Sequence, residues 1–462
     1  MKQNPVRENF ASRAGFLLMA AGCAIGLGNV WRFSYVAGQY GGGYFVLLYL
    51  LFLAVLGFPV MVMELAIGRA GQSTFPAAFR KLSSRKSRLR WELPAFVFFA
   101  GNLILLMFYT VVTGWLLLYA QAFLRGDFQS TDAARCAELF QELLDSPLRQ
   151  IIGVAVGIAI SVAVCSGGVR RSLERAIKWM MGGLFLLLIV LVVRALQLPG
   201  AGDGLHFFLA PDWEKFIGHG MLETMHAAMA QAFFTLSLGV GSIAICGSYT
   251  GRDHTLAKES FWIIGLDTVV AVAAGMIIFP ACATYGIAPD SGPALTFITL
   301  PNVFHNMAGG MLWGAIFFVF LAIAALSTLI AVFENLVAFG MDQWRWSRIR
   351  SAGIFGGALF VLSLPCVFGF NLWKKYEPLG AGSTVLDLED FIVSDNMLPL
   401  GALHIAIFTF SRYGWSEENF YAEANTGRGW RLSRRAAPFF RFGVPLLILL
   451  LWMIGIVKRF LP

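Results

Sequence analysis

Ala21-Gly22-Cys23-Ala24-Ile25-Gly26-Leu27-Gly28-Asn29 lies in the middle of an apolar run that begins near Arg13 and continues to Val36. The run is long enough to cross a bilayer, which takes about 20 apolar residues in a helix. Three of its central residues are glycines, and each costs a helix up to about 1 kcal/mol relative to alanine. A helix loosened there frees backbone N–H and C=O groups, which hydrocarbon cannot satisfy. Irregular backbone at that depth is therefore expected only where it lines a cavity inside the protein. Close helix packing through small residues is the alternative reading of the same glycines.

A second interruption favours the cavity. Phe233-Phe234-Thr235-Leu236-Ser237-Leu238-Gly239-Val240-Gly241-Ser242 sits inside another apolar run, from Gly220 to Gly247. Two glycine-broken spans in corresponding places of two halves point to a transporter with its binding site at the membrane midplane. Half-helix N-termini offer free N–H groups and partial positive charge to a carboxylate. Unwound carbonyls and half-helix C-termini suit a small hard cation such as sodium.

Composition agrees with a membrane protein. Of 462 residues, 58% are hydrophobic and 13% charged, where a soluble domain carries about 25% charged residues. Mean hydropathy is +0.70. The apolar runs predict eleven spans, near 13–36, 41–69, 91–124, 148–165, 172–197, 220–247, 256–285, 307–340, 351–371, 387–412 and 437–460. With the N-terminus inside, 25 of the 35 Lys and Arg residues fall on the cytoplasmic side and 9 outside, with Arg32 within a span. The positive-inside rule thus predicts a cytoplasmic N-terminus and, with an odd number of spans, an outside C-terminus. The net charge of +8 is accounted for by topology, without a nucleic-acid partner. The polar start runs straight into a full-length span, so no cleavable signal peptide is expected. Only Cys136 of six cysteines falls in a predicted outside loop, and no Asn-x-Ser/Thr sequon occurs. No extracellular disulfide is therefore expected within the chain, and short outside loops without sequons suit a bacterial cytoplasmic membrane.

Several polar residues stand out along the chain. Arg32 follows the first break too closely to be an interfacial anchor, so it is expected to face a water-filled vestibule with a partner. Glu64, near the inner end of span 2, reads as a partner for backbone groups. Tyr109 in span 3 packs, unless it faces the cavity. Asp267 in span 7 has no basic neighbour in its own helix, and an uncompensated buried carboxylate costs several kcal/mol. It is expected to ligate a cation. Ser327 and Thr328 in span 8 either face the cavity or satisfy their own i−4 carbonyls. Glu334 and Asp342 follow on the same span. Residues 69–91 and 125–147 read as charged loops on opposite sides. Residues 286–306 are too apolar for a free loop and read as short helices over the outer mouth.

These residues resemble the neurotransmitter:sodium symporter family in its bacterial amino-acid branch. The matches are Gly22-x-Ala24-Ile25-Gly26-Leu27-Gly28-Asn29-Val30-Trp31-Arg32-Phe33, Gly41-Gly42-Gly43, Glu64-x4-Arg69-x-Gly71, Gln231-x-Phe233-Phe234-Thr235-Leu236-Ser237-Leu238-Gly239 and Phe297-Ile298-Thr299-Leu300-Pro301. They run from Arg7 to span 11. The resemblance implies one all-α transmembrane domain with the leucine-transporter fold. In it, repeat one (about 13–197) and repeat two (about 220–412) are inverted copies, spans 1 and 6 are broken, and span 11 (437–460) is extra. It implies one sodium site at Ala24, Asn29, Thr235 and Asp267 plus the substrate carboxylate. A second lies at Gly22, Ile25, Ala324, Ser327 and Thr328. Both are oxygen-rich, as a hard cation requires. The implied substrate pocket is Cys23, Ala24, Gly26, Leu105, Tyr109, Phe234, Thr235, Ser237, Val240, Thr328 and Val332. Arg32 and Asp390 resemble an outer gate pair under which Tyr109 and Phe234 form a lid. Arg7 and Asp342 resemble an inner pair.

Departures from the family pattern narrow the expectation. Cys23 stands where monoamine carriers place an aspartate, so the substrate is expected to bring its own carboxylate. Val240 replaces a pocket phenylalanine common in span 6. Asp267 replaces the usual span 7 asparagine, and Ala271 replaces the residue that helps hold chloride in animal members. Sodium-coupled import of a neutral, hydrophobic or aromatic L-amino acid by alternating access, without chloride, is the resulting expectation. Another carboxylate-bearing zwitterion, or a non-transporting sensor of the same fold, is the alternative. A channel has no need of paired gates over a midplane pocket. An enzyme would need a catalytic cluster, and the one histidine placed within a span is His404.

Overall fold

The computed structural model describes residues 8–129, 133–218, 220–286 and 295–460, and these are organised as helices. Nine helices among the described residues are long and apolar enough to cross a membrane. A bent pair, Arg13–Ala24 and Gly28–Gln39, makes a further span with a 51° angle between its halves. Span 6 is split into Met221–Thr235 and Ser242–Ser248.

Both breaks follow from local backbone chemistry. In span 1 the helix stops at Ala24, and Ile25 turns extended at φ −73° and ψ 104°. A side chain at Gly26 would run into the hydroxyls of Thr328 and Tyr109, so only glycine fits this turn. In span 6, Ser237, Gly239 and Gly241 all adopt positive φ, at 51°, 94° and 88°. Three left-handed residues within five positions cannot continue a right-handed helix. Ser237 is the strained member, since it carries a side chain; its Oγ donates to Cys23 O at 3.1 Å.

Spans 1, 2, 6 and 7 pack together, as do spans 3, 4, 8 and 9, and the span 1 and span 6 breaks face spans 3 and 8. Without a hydrophobic driving force inside a bilayer, helix association rests on close approach and van der Waals contact. Glycines supply that approach where span 3 meets span 4: an added Cβ on Gly153 would sit 2.9 Å from Gly114 Cα. Gly68 and Gly247 do the same between span 2 (Gly43–Gly71) and the second half of span 6.

The predicted loops carry more structure than their charge suggests. Residues 69–91 contain the amphipathic helix Phe75–Leu82, whose Phe75, Ala78 and Phe79 are fully buried. A side chain on Gly241 would collide with Phe75, so this helix props the unwound segment of span 6. Residues 125–147 contain Ala133–Leu144, and 198–219 contain Ala201–Leu209 and Trp213–Gly218. Charge on one face of a short helix hides its apolar face from a count of loop residues. Of residues 286–306, expected as short helices, 295–305 form Leu295–Thr299 and Leu300–His305, and 287–294 lie outside the described residues.

Candidate functional site

Around the first break, Asp267 gathers polar side chains from three spans. Asn29 Nδ2 donates to its Oδ1 at 2.7 Å and to its backbone carbonyl at 3.1 Å. Thr235 Oγ1 donates to the two carboxylate oxygens at 3.1 and 3.2 Å, and Tyr49 Oη to Oδ2 at 3.3 Å. Asp267 is fully buried, and no basic side chain pairs with it among the described residues. Asn29 Oδ1 meanwhile accepts from Gly26 N at 2.9 Å, which fixes the amide across the break. Ala24, expected in the same set, lies buried one turn earlier on the half-helix.

A second oxygen cluster forms between the break and span 8 (Gly310–Trp344). Thr328 Oγ1 donates to Gly22 O and Ile25 O, both at 3.0 Å. Ser327 Oγ donates to Ala324 O at 2.8 Å and reaches Ile25 O at 3.4 Å. Three carbonyls and two hydroxyls thus converge from two helices. The i−4 alternative for Ser327 and Thr328 is not what the structure adopts: the close in-helix bond is to i−3, and both hydroxyls reach span 1. Oxygen-only donors fit an alkali cation by their chemistry.

The residues expected to line the substrate pocket are all buried, from 0% exposure at Val240 and Val332 to 8% at Phe234. Tyr109 Oη accepts from Leu27 N at 3.0 Å, which ties span 3 (Glu92–Arg125) to the break. The Cys23 thiol points to Ser242 O at 3.9 Å and joins the two broken spans. Leu105 and Val332 lie on the facing spans 3 and 8.

At the gate pair expected on the outer side, Arg32 Nε stands 4.0 Å from Asp390 Oδ2. Its Nη1 donates to Gln231 Oε1 at 3.0 Å, and its guanidinium lies 4.8 Å above the Phe234 ring. Arg32 ends the π-helical turn Gly28–Arg32 and Asp390 directly precedes another, Phe391–Met397, a local widening often found at functional positions. At the pair expected on the inner side, Asp342 Oδ2 accepts from Thr74 N at 2.7 Å. Arg7, its expected partner, lies outside the described residues.

Glu64 is fully buried and accepts from Gly239 N at 2.8 Å, Ile243 N at 3.2 Å and Ala244 N at 3.3 Å. It caps the second half of span 6 as a partner for backbone groups, the role expected from its position. Each buried donor left unpaired costs about 1–3 kcal/mol. Glu64→Ala is therefore expected to destabilise the fold by about 3 kcal/mol or more. Thermal unfolding in detergent would read this as a clearly lower midpoint, and an unchanged midpoint would contradict it.

Two contacts escaped the sequence. Glu334 is held by Arg348 Nη1 at 2.7 Å and by Tyr249 Oη at 2.7 Å, tying spans 6 and 8 to the start of span 9. Arg69 is fully buried and pairs with Glu423 at 2.6 Å, far along the chain. An intramembrane carboxylate was the only signal for the first; nothing local marked the second.

The chain and its fold have counterparts in known proteins. The sodium:neurotransmitter symporter family matches residues 7–142 and 144–460. An uncharacterized sodium-dependent transporter of Bacillus subtilis, YhdH, is 34% identical over 466 residues, which cover 99% of each chain. The sodium-dependent serotonin transporter of Drosophila melanogaster is 26% identical over 380 residues, 73% of this chain and 60% of that one. The crystal structure of MhsT in complex with L-phenylalanine is similar with a TM-score of 0.88 at 35% identity, over 97% of this chain and all of that one. With the leucine-transporter fold and a family match along nearly its whole length, the chain belongs to the sodium:neurotransmitter symporter family.

Proposed function

We propose that this sodium-dependent symporter imports a neutral L-amino acid with a sizeable apolar or aromatic side chain, by alternating access and without chloride. Asp267 carries the reading: a buried carboxylate with three neutral donors and no basic partner among the described residues. Such a group needs a positive partner, since an uncompensated buried charge costs several kcal/mol. Sodium bound by Ala24, Asn29, Thr235, Asp267 and the substrate carboxylate supplies it, and a second sodium sits with Gly22, Ile25, Ala324, Ser327 and Thr328. Arg32 and Asp390 close the outer mouth over Tyr109 and Phe234, and Arg7 and Asp342 close the inner one. The single transmembrane domain lies in a bacterial cytoplasmic membrane with its N-terminus inside.

The apolar lining by Leu105, Phe234, Val240 and Val332, with Cys23 in place of an acid, supports the substrate class. A charged side chain would be left unpaired there. The phenylalanine bound to MhsT is consistent with it. Proteoliposomes loaded with potassium and diluted into sodium should accumulate a labelled hydrophobic amino acid. Leucine, phenylalanine, tyrosine or tryptophan should compete better than glutamate or lysine. Stronger competition by a charged amino acid would overturn the substrate class. Competition only by a zwitterion that is not an amino acid would favour the alternative carrier.

A further inference from the structure

We propose that Gly101 and Asn102 of span 3 clasp the unwound segment of span 6 and, through Val240, set the size of the side chain the carrier admits. The inference rests on the reading of the midplane cavity as an amino-acid site. Asn102 is fully buried in an otherwise apolar stretch of span 3. Its Nδ2 donates to Val240 O at 2.7 Å and to Phe99 O at 2.9 Å, and its Oδ1 accepts from Ser242 Oγ at 2.6 Å. Both amide hydrogens are used, one on its own helix and one across the interface. A carboxamide satisfied at both ends in a buried site has a single orientation.

Val240 needs such an anchor because of its neighbours. Gly239 and Gly241 both sit at positive φ, and glycines give the least intrinsic resistance to backbone rotation. Gly239 is fixed through its N–H by Glu64, and Gly241 faces Phe75. The carbonyl between them is fixed by Asn102. Gly101 completes the clasp by having no side chain: an added Cβ there would lie 3.0 Å from Val240 Cγ1 and 3.2 Å from Met397 Sδ. Span 3 therefore pulls Val240 with one residue and leaves room for it with the preceding one. Asn102 is a positioning residue, acting on selectivity through Val240.

The two residues can be pushed in opposite directions. Asn102→Ala frees the Val240 carbonyl and opens space beside it, whereas Gly101→Ala presses Val240 toward the cavity. In sodium-driven uptake by proteoliposomes, the KM ratio of tryptophan to leucine should fall about tenfold in Asn102→Ala and rise about tenfold in Gly101→Ala, the range that one methylene's worth of pocket commands. Asn102→Asp, which keeps the acceptor for Ser242 but loses the donor to Val240, should shift the ratio in the same direction as Asn102→Ala. A purely structural clasp would lower uptake of both substrates alike and leave the ratio unmoved, and that result overturns the proposal. If Asn102→Ala does not fold, Gly101→Ala decides alone by the same criterion. A wild-type protein that accumulates no amino acid at all would overturn the functional reading and the clasp with it.

Discussion

Gly26→Ala is expected to lower sodium-driven uptake at least about 100-fold, the loss that accompanies misplacement of binding groups by about 1 Å. The added methyl group would overlap the hydroxyls of Thr328 and Tyr109 and approach Thr328 Cβ to 3.1 Å. Both neighbours are buried, and each holds part of the break. Thr328 holds Gly22 and Ile25 through their carbonyls, so moving it opens the oxygen cluster proposed for the second sodium. Tyr109 holds Leu27 through its N–H, so moving it loosens the break itself. The variant should still purify as a folded protein, because the residues that pack the outer shell of the bundle are untouched. The wild type's thermal midpoint should rise with sodium and the variant's should not, since a ligand that binds only the folded state stabilises it. Uptake and a sodium-induced shift like those of the wild type would rule out this use of Gly26.

The sequence showed where the backbone must break and left open what holds the broken ends. Glycine has a local, physical meaning in an apolar span, so Gly26 and Gly28 and the pair Gly239 and Gly241 marked both interruptions. Charge in hydrocarbon is equally legible: Arg32, Glu64 and Asp267 each announced a partner, because none can remain uncompensated there. What could not be read was identity across distance. Asn102 in an apolar run is as compatible with a bond to its own helix as with one to Val240, and it makes both. Arg69 and Glu423 meet from opposite ends of the chain, and no periodicity links them. The π-helical turns at Gly28–Arg32 and Phe391–Met397 also left no mark, since the residues that form them serve equally well in an α-helix. Helix Phe75–Leu82 was hidden by basic residues on its exposed face, although Phe75 supports the unwound part of span 6.

The proposed independence of chloride rests on Asp267 as well. In the chloride-dependent relatives that this sequence resembles, an anion balances the sodium charge and is held by groups matching Tyr49, Gln231, Thr235 and a serine. Here Tyr49 and Thr235 both donate to the Asp267 carboxylate, and the serine position is Ala271, buried on the same helix. Positions four apart on a helix are neighbours on one face, so the fixed carboxylate stands close to where the anion would be. A bound anion beside it would meet like-charge repulsion in a poorly screened interior, several kcal/mol against binding. Uptake should therefore be equal in sodium chloride and sodium gluconate. Asp267→Asn removes the fixed charge and should lower uptake at least about 100-fold in either salt, since a carboxylate ligand to a buried cation is worth about 3 kcal/mol or more. Adding Ala271→Ser restores a hydroxyl donor at the anion position, and the double variant should recover part of that uptake in chloride and not in gluconate. A wild-type rate that collapses in gluconate would refute the idea. A double variant equally inactive in both salts would show that Asp267 serves the cation alone.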